Sequence, residues 1–158
     1  TGNNSNTGGR LIHLKKFIKE NEFMLTYGDG LSNVNLKKLV SFHKKHKKLA
    51  TVTIVRPEAR FGYIKTNKNN KVTSFIEKPR VDEGFINGGF FVFNKKILDY
   101  IKDEKTVLEK EPLERLTKEN NLYSYKHTDF WQCMDNIRDK NYLESLSNLD
   151  PVPWKDYK

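Results

Sequence analysis

One cysteine, Cys133, stands among 158 residues, so no internal disulfide is possible. That usage fits a reducing compartment, and a cytoplasmic location is expected. No apolar run approaches the roughly 20 residues that cross a bilayer, and no charged-then-apolar leader points to secretion. No membrane partner is expected. Hydrophobic residues are few at 36%, with a mean hydropathy of -0.77. Aromatics at 12% nevertheless argue against disorder. Acidic residues are outnumbered, 20 against 29 lysines and arginines, which leaves a net charge of +9. A nucleic-acid surface would interleave aromatics with the basic residues or carry a module signature. Neither is present, so a solvated lysine-rich surface is expected and no nucleic-acid partner. His43 and His46 lie among those lysines with no third ligand type nearby, and a solvated face is expected for them too.

What is present is organised around Phe23-Met24-Leu25-Thr26-Tyr27-Gly28-Asp29-Gly30. A short apolar run reads as a buried strand, stopped by a Gly-Asp-Gly turn. Ser32 and Asn33 are helix-capping types, and Val34, Leu36, Leu39, Val40 and Phe42 recur at near-helical spacing to about His46. Strand, tight turn and helix make half of a βαβ unit, the building block of open parallel sheets. Ligands of such sheets sit off the carboxyl ends of the strands, where Asp29 falls and where its carboxylate can hold a hard cation.

The 158 residues suffice for one domain with a real core. Turn formers fill positions 1–9, and an amphipathic helix is expected over about 10–20; the glycine-rich entry presents backbone N–H groups to a phosphate or a base edge. Strands are expected at 50–55, 61–66, 72–77, 90–93 and 122–126, with a hairpin turn at 67–71. Asn94 caps a following helix, Pro112 sits in the first turn of another, and 136–146 is helical with Ile137, Tyr142, Leu143 and Leu146 facing inward. Residues 130–135 read as an aromatic turn. An organisation of 1–146 as a partial catalytic domain and 147–158 as an extended tail is expected.

Three clusters beyond Asp29 carry chemistry. Glu77-Lys78-Pro79 sets a carboxylate, which binds sugar hydroxyls, beside an ammonium, which binds phosphate. Asn87-Gly88-Gly89 offers an amide and bare backbone to a polar ligand. Phe130-Trp131-Gln132-Cys133-Met134-Asp135 ends in a carboxylate that can serve with Asp29 as a second metal ligand. Each alone is also ordinary turn or surface chemistry.

Their order and spelling are more specific. Leu25-Thr26-Tyr27-Gly28-Asp29-Gly30, Arg60-Phe61-Gly62, Phe75-Ile76-Glu77-Lys78-Pro79 and Ile86-Asn87-Gly88-Gly89-Phe90-Phe91-Val92 resemble the sugar-phosphate nucleotidylyltransferases. Thr7-Gly8-Gly9-Arg10-Leu11, Glu111-Pro112-Leu113, Phe130-Trp131-Gln132, Met134-Asp135 and Arg138-Asp139-Lys140 are similar to the cytidylyltransferases of glucose 1-phosphate within them. The resemblance implies an α/β fold: an open mixed, mostly parallel sheet flanked by helices, Rossmann-like. It implies transfer of a cytidylyl group from CTP to glucose 1-phosphate, giving CDP-glucose for nucleotide-sugar and O-antigen synthesis, with magnesium as cofactor and a homo-oligomeric full-length enzyme. Carried onto this sequence, Asp29, Lys78 and Asp135 are catalytic, and Asp29 and Asp135 hold the metal. Glu77, Lys78, Asn87 and Gly88 meet the sugar phosphate, Thr7, Gly8 and Gly9 the cytosine, and Gly28 and Trp131 complete the substrate contacts.

One departure stands against these matches. Members of the family open with a strand and a glycine-rich loop that carries an arginine, with a lysine beyond, and nothing here corresponds to that triphosphate-binding segment. The chain is therefore expected to be an N-terminally truncated domain, inactive or nearly so alone, with one hydrophobic sheet edge open. Cys133 stands where proline is expected in relatives. The alternatives are a non-catalytic sugar-phosphate-binding remnant, a nucleotidyltransferase for another nucleoside triphosphate, and a metal-dependent glycosyltransferase; the last would show two close aspartates where Asp29 stands alone.

Overall fold

The computed structural model describes residues 2–57, 63–77 and 84–155. In chain order the elements begin with α1 (Thr7–Leu14), β1 (Glu22–Thr26), β2 (Gly30–Ser32), α2 (Leu36–His46) and β3 (Ala50–Val55). The hairpin β4 (Tyr63–Thr66) and β5 (Val72–Ile76) follows, then β6 (Ile86–Asn94) and a 3-10 helix, Lys95–Tyr100. Helix α3 (Glu111–Lys118), β7 (Leu122–Lys126), β8 (Trp131–Cys133) and α4 (Ile137–Ser147) complete the set.

β3 reads Ala-Thr-Val-Thr-Ile-Val, a β-branched run, and it lies inside the central sheet, whose order is β1-β6-β3-β7. β6 runs antiparallel to β1 and β3, while β3 and β7 are parallel. Three of the four strands thus share a direction, in a mixed sheet. The carboxyl ends of β1, β3 and β7 meet the start of β6 at one edge. β2 pairs with β8 and β4 with β5 as separate two-stranded sheets.

Alternation along β3 sends Ala50 and Val52 to one face and Thr51 and Thr53 to the other. On the first face Leu11 of α1, Ile97 and Leu98 of the 3-10 helix and Leu116 of α3 close over Phe91 and Phe93. The two phenylalanine rings stack at 5.1 Å and are fully buried. Each such side chain contributes up to about 3 kcal/mol by leaving water. Leu39 of α2 seals the opposite face.

His43 and His46 do not lie on a solvated face, because α2 turns them onto Thr51. His43 is 2% exposed, and its Nδ1 lies 2.9 Å from Thr51 Oγ1, which is 2.7 Å from His46 Nε2. The Lys48 amide donates to His46 Nδ1, so neutral His46 carries its proton on Nε2 and donates to Thr51. The Thr51 hydroxyl then donates to His43 Nδ1, and the His43 proton sits on Nε2, 4.0 Å from Glu22. The chain of donors is complete only when both rings are neutral.

Other boundaries moved for local reasons. α1 starts at Thr7 rather than Arg10 because the Gly8 and Gly9 amides find the Thr106 carbonyl, at 3.0 and 3.2 Å. Asn35, not Ser32 or Asn33, caps α2 by accepting from the Lys38 amide at 2.9 Å, and Ser32 ends β2 instead. The aromatic segment at 130–135 contains a strand, β8, because β2 offers it a partner. In α4 only Leu143 is buried; Ile137 is 69% exposed and Tyr142 is exposed, against the inward placement expected of them. The tail folds back, with Val152 buried and Trp154 5.7 Å from the Phe130 ring. No described helix is long and apolar enough to cross a membrane.

Burial lowers the pKa of both histidines; His46 and Lys44 add to the effect at His43 against the attraction of Glu22, and Lys48 adds to it at His46. A depressed histidine favours the fold when neutral, so its contribution is complete above the ordinary value of 6.5 and declines as pH falls below it. The thermal midpoint is therefore expected to fall between pH 7.5 and pH 5, and His43→Gln is expected to flatten that decline. A midpoint independent of pH over this range contradicts the neutral pair.

Candidate active site

The edge at the carboxyl ends of β1, β3 and β7 gathers most of the residues singled out in the sequence. After Thr26 the chain turns through Gly28 and Asp29 and enters β2, whose Gly30 pairs with Cys133 of β8. One step further the Met134 amide donates to the Asp29 carbonyl at 2.8 Å. That antiparallel register brings Asp29 and Asp135 to adjoining turns, both exposed. Asp135 is tied into the start of α4, where its amide donates to Asp139 Oδ2 at 3.1 Å. Asn136 caps that helix, accepting from the Arg138 and Asp139 amides.

Cys133, Asp135 and Asp139 place ligand atoms within 4.8 Å of one another. The Cys133 thiol donates to Asp135 Oδ2 at 3.3 Å, and burial, aided by Asp135, pushes its pKa up to about 11. At neutral pH it is a protonated soft donor, while the aspartates are hard oxygen donors. Cys133 leaves the strand intact: β8 continues through it.

β6 enters the edge irregularly. Ile54 of β3 faces Asn87 while Val52 faces Phe91, so β6 spans four residues where β3 spans two. The excess is a bulge at Gly88-Gly89, and a bulge re-aims the side chains beside it. Gly89 has φ +76°, and a Cβ there would lie 2.8 Å from the Tyr27 ring. Glycine is needed on both counts. Asn87, projected at the bulge, is fixed at both ends of its amide: Oδ1 accepts from the Gly89 amide at 2.9 Å, and Nδ2 donates to the Tyr27 hydroxyl at 3.0 Å. Trp131 donates its indole N–H to the Gly88 carbonyl at 2.8 Å, which fastens β8 to the bulge.

Tyr27 in turn donates to Glu109 Oε1, and the Thr7 hydroxyl donates to Glu109 Oε2 at 2.6 Å. Thr7 also accepts from the Leu108 amide at 2.9 Å. Burial, then Glu109, raises the Tyr27 pKa far above its ordinary value, so the phenol stays protonated. Glu109 was not among the residues read from the sequence. Gly8 and Gly9 are buried with their amides directed at Thr106, so the reading that these N–H groups face a ligand is corrected. Their bareness serves packing: a Cβ on Gly9 would lie 2.0 Å from the Glu104 carbonyl oxygen.

A groove of about 860 Å³ runs along the outer side of β1. Its walls are apolar at Leu11, Leu14, Phe23 and Leu25, and its far end is polar at Thr7, Asp29, Asn87 and Glu109. Among the described residues β1 pairs only with β6, so this side of the strand is an edge. Glu77 follows β5 on the hairpin and is exposed. Among the described residues no hydrogen bond or ion pair ties it to the other site residues. Lys78 and the Arg60-Phe61-Gly62 motif lie outside the described residues.

Residues 2–156 match the nucleotidyl transferase family, and the chain belongs to it. Glucose-1-phosphate cytidylyltransferase of Salmonella typhimurium is 43% identical over 159 aligned residues, covering 100% of this chain and 62% of that protein. The mannose-1-phosphate guanylyltransferase catalytic subunit beta of Drosophila melanogaster is 32% identical, covering 89% of this chain and 39% of its own length. The crystal structure of HddC from Yersinia pseudotuberculosis superposes with a TM-score of 0.66 at 21% identity, over 90% of this chain and 62% of that one. The chain thus spans less than two thirds of the length of these relatives.

The two kinds of glycine at this edge predict opposite outcomes. Gly9→Ala forces a side chain into backbone that has no room to retreat, and a loss of at least about 3 kcal/mol in urea denaturation is expected. Gly28 has nothing within 4 Å of the place a methyl would take and an ordinary backbone conformation, so Gly28→Ala is expected to change stability by less than about 0.5 kcal/mol. Equal losses in both contradict this packing.

Proposed function

We propose that the parent enzyme of this chain transfers a cytidylyl group from CTP to glucose 1-phosphate, releasing pyrophosphate. The observation that carries the reading is the β2–β8 pairing, which puts Asp29 and Asp135 on adjoining turns beside the Gly88 bulge. The 43% identity to the Salmonella typhimurium glucose-1-phosphate cytidylyltransferase supports CTP as the nucleotide and glucose 1-phosphate as the sugar.

The donor chemistry fits a hard divalent cation, for which magnesium is the choice: Asp29 and Asp135 offer oxygen ligands at an exposed edge. Such an ion, when bound, neutralises phosphate charge as the phosphate oxygen of the sugar attacks the α-phosphorus. The chain's own residues supply position and polarity, the dominant contributions in phosphoryl transfer. Asn87, its amide oriented by Gly89 and Tyr27, meets sugar hydroxyls, and Gly88 beside it adds a backbone contact. Glu77 accepts from further hydroxyls, and Lys78 meets the sugar's phosphate. Gly28, open above the turn, lets substrate approach the backbone. The base lies toward the start of α1, where Thr7 lines the groove; Trp131 contributes its ring, since its N–H is engaged by Gly88.

The open side of β1 gives the remaining length of the relatives a place to act. A strand of the parent enzyme seated in that groove would pair with β1, cover Leu11 and Leu14, and bring its adjoining loop to the polar end where the triphosphate must lie. The chain alone is then a half-site. A homo-oligomeric parent enzyme belongs to the same reading.

Pyrophosphate release from CTP and glucose 1-phosphate with magnesium tests this. The chain alone is expected to show no turnover above background. Joined to the part of the Salmonella typhimurium enzyme that it does not span, it is expected to turn over CTP in preference to other nucleoside triphosphates. Asp135→Asn in that chimera is expected to lower kcat by about 100-fold or more. Turnover by the chain alone contradicts the half-site, and a folded chimera whose activity is unchanged by Asp135→Asn contradicts the assignment of the carboxylate.

A further inference from the structure

Glu109 occupies a position that the proposed chemistry does not use. It precedes α3 in a loop, is half-buried, and stands at the polar end of the groove. Its two carboxylate oxygens take different partners: the Thr7 hydroxyl at the start of α1 and the Tyr27 hydroxyl at the end of β1. Neither hydroxyl has its proton left for a ligand. Thr7 also accepts from Leu108, and Tyr27 also accepts from Asn87. One carboxylate therefore stands between the wall assigned to the base and the amide assigned to the sugar.

We infer that Glu109 is a positioning residue, which orients the Asn87 amide through the Tyr27 hydroxyl while anchoring Thr7, and so couples the two halves of the site. The inference rests on the sugar-phosphate reading for its consequence, though not for the linkage itself. The directions are set by chemistry. The Gly89 amide can only donate, so Oδ1 of Asn87 faces it and Nδ2 faces Tyr27. An ionised carboxylate can only accept, so the Tyr27 proton points to Glu109 and its lone pairs are turned toward Nδ2. The raised pKa of the phenol agrees with a proton held in place. Asn87 is left with one N–H and one lone pair on Oδ1, a matched donor and acceptor suited to a hydroxyl of the sugar. The Tyr27 ring lies over Gly89, where a Cβ would come within 2.8 Å of it, so glycine at this position leaves room for the ring. The ring is also 5.7 Å from Phe91, in the core.

Solvent exchange of the Asn87 side-chain amide protons, followed by NMR in the ligand-free chain, reads the linkage without any substrate. Tyr27→Phe removes only the hydroxyl, and Glu109→Gln keeps shape while removing the charge. Both are expected to quicken that exchange about tenfold, the worth of one lost hydrogen bond, with sheet amides unchanged. The double variant is expected to be no faster than Tyr27→Phe alone, because Glu109 acts through Tyr27. Exchange at the wild-type rate in either single variant overturns the inference, as does an additive double variant. Titration with glucose 1-phosphate on the same proteins reads the consequence: about tenfold weaker binding in both variants is expected, and equal binding in all overturns the positioning role. A wild-type chain that binds no glucose 1-phosphate contradicts the sugar-phosphate reading instead, and amide exchange then decides the linkage by itself.

Discussion

The bulge at Gly88-Gly89 is the constraint on which the rest of the edge depends. A regular β6 would continue its pairing with β3 past Val52, and Asn87 would point where the pleat dictates. The two extra residues break that alternation at the carboxyl ends of the parallel strands. They bring bare backbone against Tyr27 on one side and Val55 on the other, where a Cβ on Gly88 would lie 2.9 Å from the valine. Trp131 then reaches the Gly88 carbonyl and Asn87 the Tyr27 hydroxyl. β1, β6 and β8 are thereby fastened at a single point. A site assembled from three strands distant in sequence needs such a fastening, since no local element positions it.

The two faces of the sheet perform different tasks. One face is a hydrophobic core around Phe91 and Phe93, roofed by α1, the 3-10 helix and α3, and it gives the site edge a rigid base. The other face, under α2, holds a polar chain of His43, Thr51 and His46 that is satisfied only in the neutral state. Buried polar groups of this kind fix geometry more than they add stability, because an unmatched partner is costly. The open side of β1 is the exception to this closure: apolar residues of α1 and β1 face a groove there instead of a neighbouring strand.

Much of this was legible in the sequence. β3 is a β-branched run, β7 and the β4–β5 hairpin alternate and are punctuated by turn formers, and Pro112 and Asn136 mark helix starts; the structure has each of these elements. What failed shares one cause, the absence of a local signal. Asn87-Gly88-Gly89 reads as a turn, yet lies within β6 because strands on both sides supply hydrogen bonds. Residues 130–135 contain a strand only because β2, far earlier in the chain, presents an edge. His43 looks solvated among lysines, yet the phase of α2 turns it onto Thr51. Of the site, the aspartates at the strand ends and the Asn-Gly-Gly segment were recognisable by type and place. Glu109 was not: its partners Tyr27 and Thr7 are 82 and 102 residues away, and one glutamate in a charged loop carries no mark.

On the proposed reading this edge is one sugar-phosphate site, already shaped in the chain by the bulge and the two aspartate turns. Isothermal titration of glucose 1-phosphate and of CDP-glucose, with magnesium present, tests it most directly. Saturable binding is expected, lost in Asn87→Ala and in Asp135→Ala while both variants keep a cooperative thermal melt. Binding that survives both substitutions, or its absence from a wild-type chain that melts cooperatively, would contradict it.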